Sequence, residues 1–299
     1  MTLRTRFAPS PTGPLHLGHA YSAMLAHDMA RAAGGAFLLR LDDIDQSRSR
    51  PHWAAQIETD LAWLGLTWDG PVLRQSDRLP RYRAALDALW DRGLLYPCRC
   101  TRRDIEAAVS APQEGAPLHG PDGLIYPGTC RPEHPPRGPM PRDMALRLDM
   151  SRAAKAADLP TSPLTYAETG VAPPPPPLSP EHYRHGIGDV ALARRDLGAS
   201  YHLSVVCDDA DQCISHVIRG ADLAPATAIH VLLQRLLDLP TPIYHHHRLI
   251  RDETGRRLAK RDEARAIATF RTEGHSPADI RAMVGLTKLL PLARNTLGG

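Results

Sequence analysis

A chain of 299 residues that is 42% hydrophobic and 23% charged can bury a sizeable core in about one or two globular domains. A formal net charge of +3 and a pI of 8.7 do not announce a nucleic-acid binder, though they leave room for a basic face. Residues 1–10 hold Arg4 and Arg6 without a following apolar run, so no signal peptide or spanning helix is expected there, and the expected location is cytoplasmic, with no membrane partner.

Residues 3–8 read as a short buried strand, after which Pro9, Pro11, Gly13 and Pro14 impose an extended loop. From His19 an Ala-rich helical pattern runs to Gly34-Gly35, and residues 36–41 read as a second buried strand. Such a strand, helix, strand unit predicts the first half of a doubly wound parallel sheet in an α/β fold, with ligand at the strand C-terminal edge. Helices are expected over 53–64 and 81–91.

Between about 97 and 180 the texture turns rich in Pro and Gly, and the run 173–177 excludes helix or central strand, so an inserted domain ending in a stiff linker is predicted. Periodic structure returns with 198–208, read as a strand of Tyr, Leu and Val, and with a helix over 224–237, together the second half of the nucleotide fold. Ser276 is placed to cap a helix opening on Pro277 with Asp279 in its first turn. The expected organisation is therefore 1–96 and 181–245 as two halves of one domain, 97–180 inserted, and 246–299 as a loop with a short helical tail.

Chemistry-bearing residues are few. His16 and His19 stand three apart at the mouth of the first helix, where backbone N–H groups and the dipole favour a phosphate and Gly18 permits close approach. Their spacing alone favours ordinary loop and cap residues. Lysine occurs only at Lys155, Lys260 and Lys288, and Lys260 lies in the basic turn 255–261, which by pattern is a solvated loop or a mobile phosphate ligand. Cys98, Cys100 and Cys130, with Tyr126, offer three thiolates and a phenolate, enough for a tetrahedral zinc site; spacing leaves three reduced structural cysteines equally open. His245-His246-His247 is not read as a metal site, because consecutive strand residues face alternate sides. Cys207 is read as a small hydrophobe in a buried strand, as is Cys213.

The string 9–19, Pro-Ser-Pro-Thr-Gly-Pro-Leu-His-Leu-Gly-His, resembles the HIGH signature of class I aminoacyl-tRNA synthetases, and 6–13 is similar to their glutamyl and glutaminyl branch. Residues 255–261 then look like the KMSKS loop with Lys260 at its second lysine; Arg257 stands where the family usually has Lys, and Ala259 where it has Ser. Cys-x-Cys followed by Tyr-x-x-x-Cys is similar to the inserted domain of the short glutamyl-Q tRNA(Asp) synthetases, and 110–124 looks like an added loop.

The resemblance implies a Rossmann-type class I catalytic domain carrying a zinc-containing insertion. It implies His16, His19 and Lys260 as catalytic residues, with Gly18 beside them at ATP. It implies Arg6, Phe7, Ala8, Pro9, Ser10, Asp42, Tyr201 and Arg219 at glutamate, and Zn2+ on Cys98, Cys100, Tyr126 and Cys130. Arg6 would meet the side-chain carboxylate. Asp42 replaces a usual Glu, shortened by one methylene, so its contact with the substrate amino group would pass through a water. His246 matches a single family histidine. Only 39 residues follow Lys260 (299 minus 260), so no anticodon-binding domain is expected.

The implied activity is tRNA-independent activation of L-glutamate with ATP and Mg2+, followed by transfer to queuosine at the wobble position of tRNA(Asp), by a monomer. Competing readings are a truncated glutamyl-tRNA synthetase charging a tRNA 3′ end, a non-catalytic tRNA-binding module, and a ligase with a small-molecule acceptor.

Overall fold

Hydrophobic residues 36–41 and the shorter run before the first Pro-rich loop form the adjacent strands β1 (Arg4–Phe7) and β2 (Ala36–Leu41), joined by the crossover helix α1 (Leu17–Ala32). They pair in parallel with Arg4 opposite Ala36 and Phe7 opposite Leu39. A computed structural model describes residues 2–109, 118–159, 161–173, 178–196, 198–251 and 265–286. Helix α2 (Pro51–Trp63), opened by a proline at its first position, leads to β3 (Leu73–Arg74), parallel to β2. Helix α3 (Leu79–Asp91) follows.

The Pro-rich middle contains β4 (Leu95–Cys98), α4 (Arg102–Val109), a hairpin of β5 (His119–Gly120) and β6 (Gly123–Leu124), β7 (Ala145–Leu148), α5 (Met150–Ala156), a π turn (His182–Ile187) and β8 (Ala191–Ala193). Its sheet is antiparallel in the order β4-β7-β8. Residues 174–177 of the expected stiff linker lie outside the described residues.

The chain then returns to parallel pairing through α6 (Tyr201–Asp211), β9 (His216–Gly220), α7 (Thr227–Leu236) and β10 (Ile243–His247), with His216 opposite Ile243. Residues 198–208 do not form the expected strand: from Tyr201 they are helical, so Tyr201 sits at a helix N-terminus and Cys207 is buried on a helix. Residues 202–209 are all buried, so the segment lacks the polar stripe that marks a surface helix. Short helices α8 (Ile267–Thr272) and α9 (Pro277–Met283) close the described chain, the second with the expected Ser276 cap, completed by Asp279 as a capping box.

One core cluster packs α1, α2, α8 and α9 around β1 and β2; the other joins α3, α5, α6 and α7. Strand β1 meets β9 through Ser215 N–H to Arg4 O at 3.0 Å. Two parallel pairs thus approach where the chain order reverses, the position at which open α/β sheets bind ligands. On the far side, residues 167–171 hydrogen-bond along β10, so closely that a Cβ on Gly170 would lie 2.2 Å from His246 O. Among the described residues no helix is long and apolar enough to cross a membrane.

Candidate active site

A cavity of 530 Å³ opens beyond the C-terminal ends of β1, β2 and β9. Its lining includes Arg6, Phe7, Ala8, Pro9, Ser10, His16, Gly18, His19, Asp42, Tyr201 and Arg219, so these expected site residues come together at one place. Lys260 lies outside the described residues, with all of 252–264.

At one end of the cavity is the mouth of α1. His16 is its N-cap: Nδ1 accepts the Gly18 N–H at 3.1 Å, while His19 Nδ1 accepts the His16 N–H at 3.3 Å. Both rings therefore carry their proton on Nε2 when neutral, and their centroids are 3.8 Å apart. The first turn holds no acidic residue, so no carboxylate of the helix offsets its positive end.

The floor is an alternation of buried charges. Arg6 donates to both oxygens of Asp209 at 3.0 and 3.4 Å, and Arg40, fully buried on β2, donates to Asp42 at 2.8 Å and to Asp209 at 2.7 Å. Asp208, the preceding position of α6, accepts from Arg78, Gln75 and Tyr82 and lies 3.8 Å from Arg40 Nε at the edge of the same network. Burial pushes the Asp42 carboxyl up to about 6 against the pull of Arg40, while Arg6 and Arg40 overcome burial at Asp209 and hold it below the usual range. Arg40 and Asp209 position the expected ligands and were not singled out from sequence. An arginine interrupting an apolar strand was the available signal.

Arg219 on β9 is 5% exposed and spends most of its donors on the protein. Nε donates to His246 Nε2 at 3.1 Å, Nη2 to Thr227 Oγ1 at 2.7 Å and Leu223 O at 3.3 Å, and Nη1 contacts His230 Nδ1 at 3.2 Å. His246 Nδ1 is paired with Glu168. The three consecutive histidines diverge as their strand requires: His245 contacts Thr169, His246 meets Arg219, and His247 lines the cavity against Tyr21. Tyr201, 40% exposed, stands at the cavity rim.

Away from the cavity, Cys98 at the end of β4 meets Cys100 and Cys130, their sulfurs all within 4.8 Å. The Tyr126 hydroxyl is 3.5 Å from Cys98 Sγ and 3.3 Å from Cys100 Sγ, and the Cys100 and Cys130 sulfurs are 3.4 Å apart. Ligands about 2.3 Å from one ion sit roughly 3.8 Å from each other, so three thiols and a phenol at these separations suit tetrahedral zinc. Burial raises the Cys130 thiol, but hydrogen bonds led by that from Tyr126 outweigh it and bring it to about 7; burial and the thiols raise the Tyr126 phenol.

A family model described as the catalytic domain of class I tRNA synthetases (E and Q) matches residues 2–119 and 179–294. The chain belongs to that family. A glutamyl-Q tRNA(Asp) synthetase of Rhodobacter capsulatus is 63% identical over 284 residues, covering 94% of this chain and 99% of the relative, and one of Nocardia farcinica is 41% identical over 93% of this chain and 82% of its own. The glutamyl-Q branch of the class I synthetases is thus the chain's place in the family, and the protein is an enzyme, a ligase of the aminoacyl-tRNA synthetase type. Among solved structures, a glutamate tRNA ligase from Elizabethkingia meningosepticum, in complex with its amino acid, superposes with a TM-score of 0.71 at 25% identity. That likeness covers 95% of this chain but only 60% of the ligase. A methionyl-tRNA synthetase of Mycobacterium tuberculosis shares the fold, with a TM-score of 0.55 at 11% identity over 94% of this chain and 63% of that one.

Proposed function

We propose that the enzyme activates L-glutamate with ATP in the absence of tRNA, forming glutamyl-adenylate, and passes the glutamyl group to queuosine at the wobble position of tRNA(Asp). The observation that carries this reading is the meeting, in one cavity, of a phosphate-favouring helix mouth with buried arginines and an aspartate suited to an amino acid of two carboxylates and one ammonium. The glutamyl-Q names of the relatives support the acceptor.

Arg6 receives the side-chain carboxylate with Tyr201 and Arg219 beside it, and Asp42 receives the ammonium. A glutamate α-carboxylate oxygen attacks the α-phosphorus of ATP, the bond from that phosphorus to the bridging β-phosphate oxygen breaks, and pyrophosphate leaves. A hydroxyl of the modified base then attacks the acyl carbon, losing its proton as the bond to the AMP oxygen breaks. His16 and His19 donate Nε2–H to phosphoryl oxygens as charge accumulates, and Lys260 supplies a mobile cation to the departing phosphates. Mg2+ entering with the nucleotide supplies further neutralisation of phosphate charge. Cys98, Cys100, Tyr126 and Cys130 hold a structural Zn2+ that fastens the middle segment. The enzyme works as a cytoplasmic monomer.

The test is ATP–pyrophosphate exchange with glutamate, glutamine or aspartate, without tRNA, beside Lys260→Ala. Exchange with glutamate alone, lost in the variant, supports activation, and labelled glutamate transferred only to queuosine-containing tRNA(Asp) supports the acceptor. Transfer to tRNA(Asp) lacking queuosine would replace this reading with 3′-end charging, and no exchange even with tRNA would replace it with a binding module.

A further inference from the structure

Arginine has only N–H groups to offer, which fixes the direction of every hydrogen bond it makes. Because Arg219 Nη1 must donate, His230 Nδ1 must accept at 3.2 Å, and the proton of neutral His230 resides on Nε2. That Nε2 lies 3.1 Å from Nδ1 of His202, so His202 accepts there and carries its own proton on Nε2, 3.1 Å from an Asp122 carboxylate oxygen. Direction therefore runs without ambiguity from Arg219 through two buried imidazoles to an acid. His230 is 1% and His202 6% exposed, whereas the Asp122 side chain is 43% exposed. Burial first, and then the Arg219 charge, hold His230 well below its ordinary range, in keeping with a neutral ring.

The placement of Asp122 is as informative as its bond. It lies between β5 and β6, four positions before Tyr126 and its cysteine cluster, while Arg219 is on β9. On the other side of Arg219, Nε and both Nη2 hydrogens are committed to His246, Leu223 and Thr227. One Nη1 hydrogen is left over for a ligand of the cavity that Arg219 lines.

We propose that Asp122 is a positioning residue for the substrate site: through His202 and His230 it fixes the orientation of Arg219 so that the remaining Nη1 N–H meets a substrate carboxylate. The inserted hairpin thereby sets affinity for the amino acid without touching it. This rests on the reading of the cavity as a glutamate site. Without the Asp122 acceptor, His202 no longer gains by holding its proton on Nε2. Its other tautomer turns an Nδ1–H toward the His230 Nε2–H, two donors face each other, and Arg219 loses a defined partner.

The test uses the full chain. In glutamate-dependent ATP–pyrophosphate exchange, Asp122→Ala raises the glutamate KM about tenfold, the scale of one lost charge-assisted hydrogen bond, with the ATP KM and kcat within about twofold. Asp122→Asn, which keeps an acceptor oxygen, recovers most of the loss. His230→Gln, whose amide can accept from Arg219 and donate to His202, lies much closer to wild type than His230→Leu. A purely structural role would lower thermal stability and alter both substrates' KM values alike, without these rescues.

Long-range 1H–15N spectra read the two tautomers independently of activity. The proposal requires Nε2–H on both His202 and His230 in the wild type, and loss of that preference at His202 in Asp122→Ala. An Nδ1–H on His230, or an unchanged glutamate KM in Asp122→Ala beside an active wild type, overturns it. A wild type with no glutamate exchange overturns the functional reading instead, and the spectra still decide the relay.

Discussion

Asp42 carries a property that its sequence position did not disclose. Burial raises its carboxyl to about 6, and Arg40 only partly restores the charge. An acid raised in the folded state binds its proton more tightly there than in the unfolded chain, so falling pH relieves a cost of folding at this position. Its effect on substrate binding has the opposite sign, since an ammonium ligand needs the ionised form. The glutamate KM in pyrophosphate exchange is therefore expected to rise as pH falls through about 6, while circular dichroism stays constant. A flat KM over about pH 5 to 8 would remove Asp42 from that role. Replacing it with Asn should raise the KM at neutral pH by about tenfold or more and abolish the pH dependence.

At the scale of elements, β1, β2 and α6 are fastened by the alternation Arg6, Asp209, Arg40, Asp42. Replacing Arg40 with Ala leaves two buried carboxylates without their shared cation, and a loss of about 3 to 5 kcal/mol in urea denaturation is expected. A loss below about 1 kcal/mol would mean that water enters and screens the pair. The cysteine cluster predicts a second element-scale effect. The purified protein should contain one zinc per chain by elemental analysis, and Cys130→Ala should lose most of it along with several degrees of melting temperature. Zinc-free wild type would leave the cluster as reduced thiols.

The same scale explains what sequence reading missed. Residues 201–211 carry Tyr and Val of high strand propensity, and a helix buried around residues 202–209 has no polar stripe to betray its period. Tertiary packing overrode local preference there. By contrast, the unit of β1, α1 and β2 was legible because Pro-rich and Gly-Gly punctuation bounds it and each element is buried in the expected way. The expected cavity residues were legible through their motifs, whereas the roles of Arg40, Asp209, His230 and Asp122 were not: each has a partner 28 to 203 residues away, a pairing that no local pattern reports.

For the whole molecule, a net charge of +3 cannot hold a large polyanion by its overall field, so docking of tRNA has to rely on a local concentration of cations. Exposed Arg99, Arg142 and Arg195 supply one, outnumbering Asp143 around a second cavity of 620 Å³ beside the cysteine cluster. Arg142 and Arg195 lie off the activation cavity, so replacing them with Ala should leave glutamate-dependent exchange intact. Transfer to tRNA should weaken, and the slope of log affinity against log salt should fall by about 1 for each phosphate contact removed. Filter binding across a salt series, beside exchange on the same preparations, separates the two effects. An unchanged slope would move the tRNA face elsewhere on the protein, whereas loss of exchange would mean that the arginines act on the fold of the activation site.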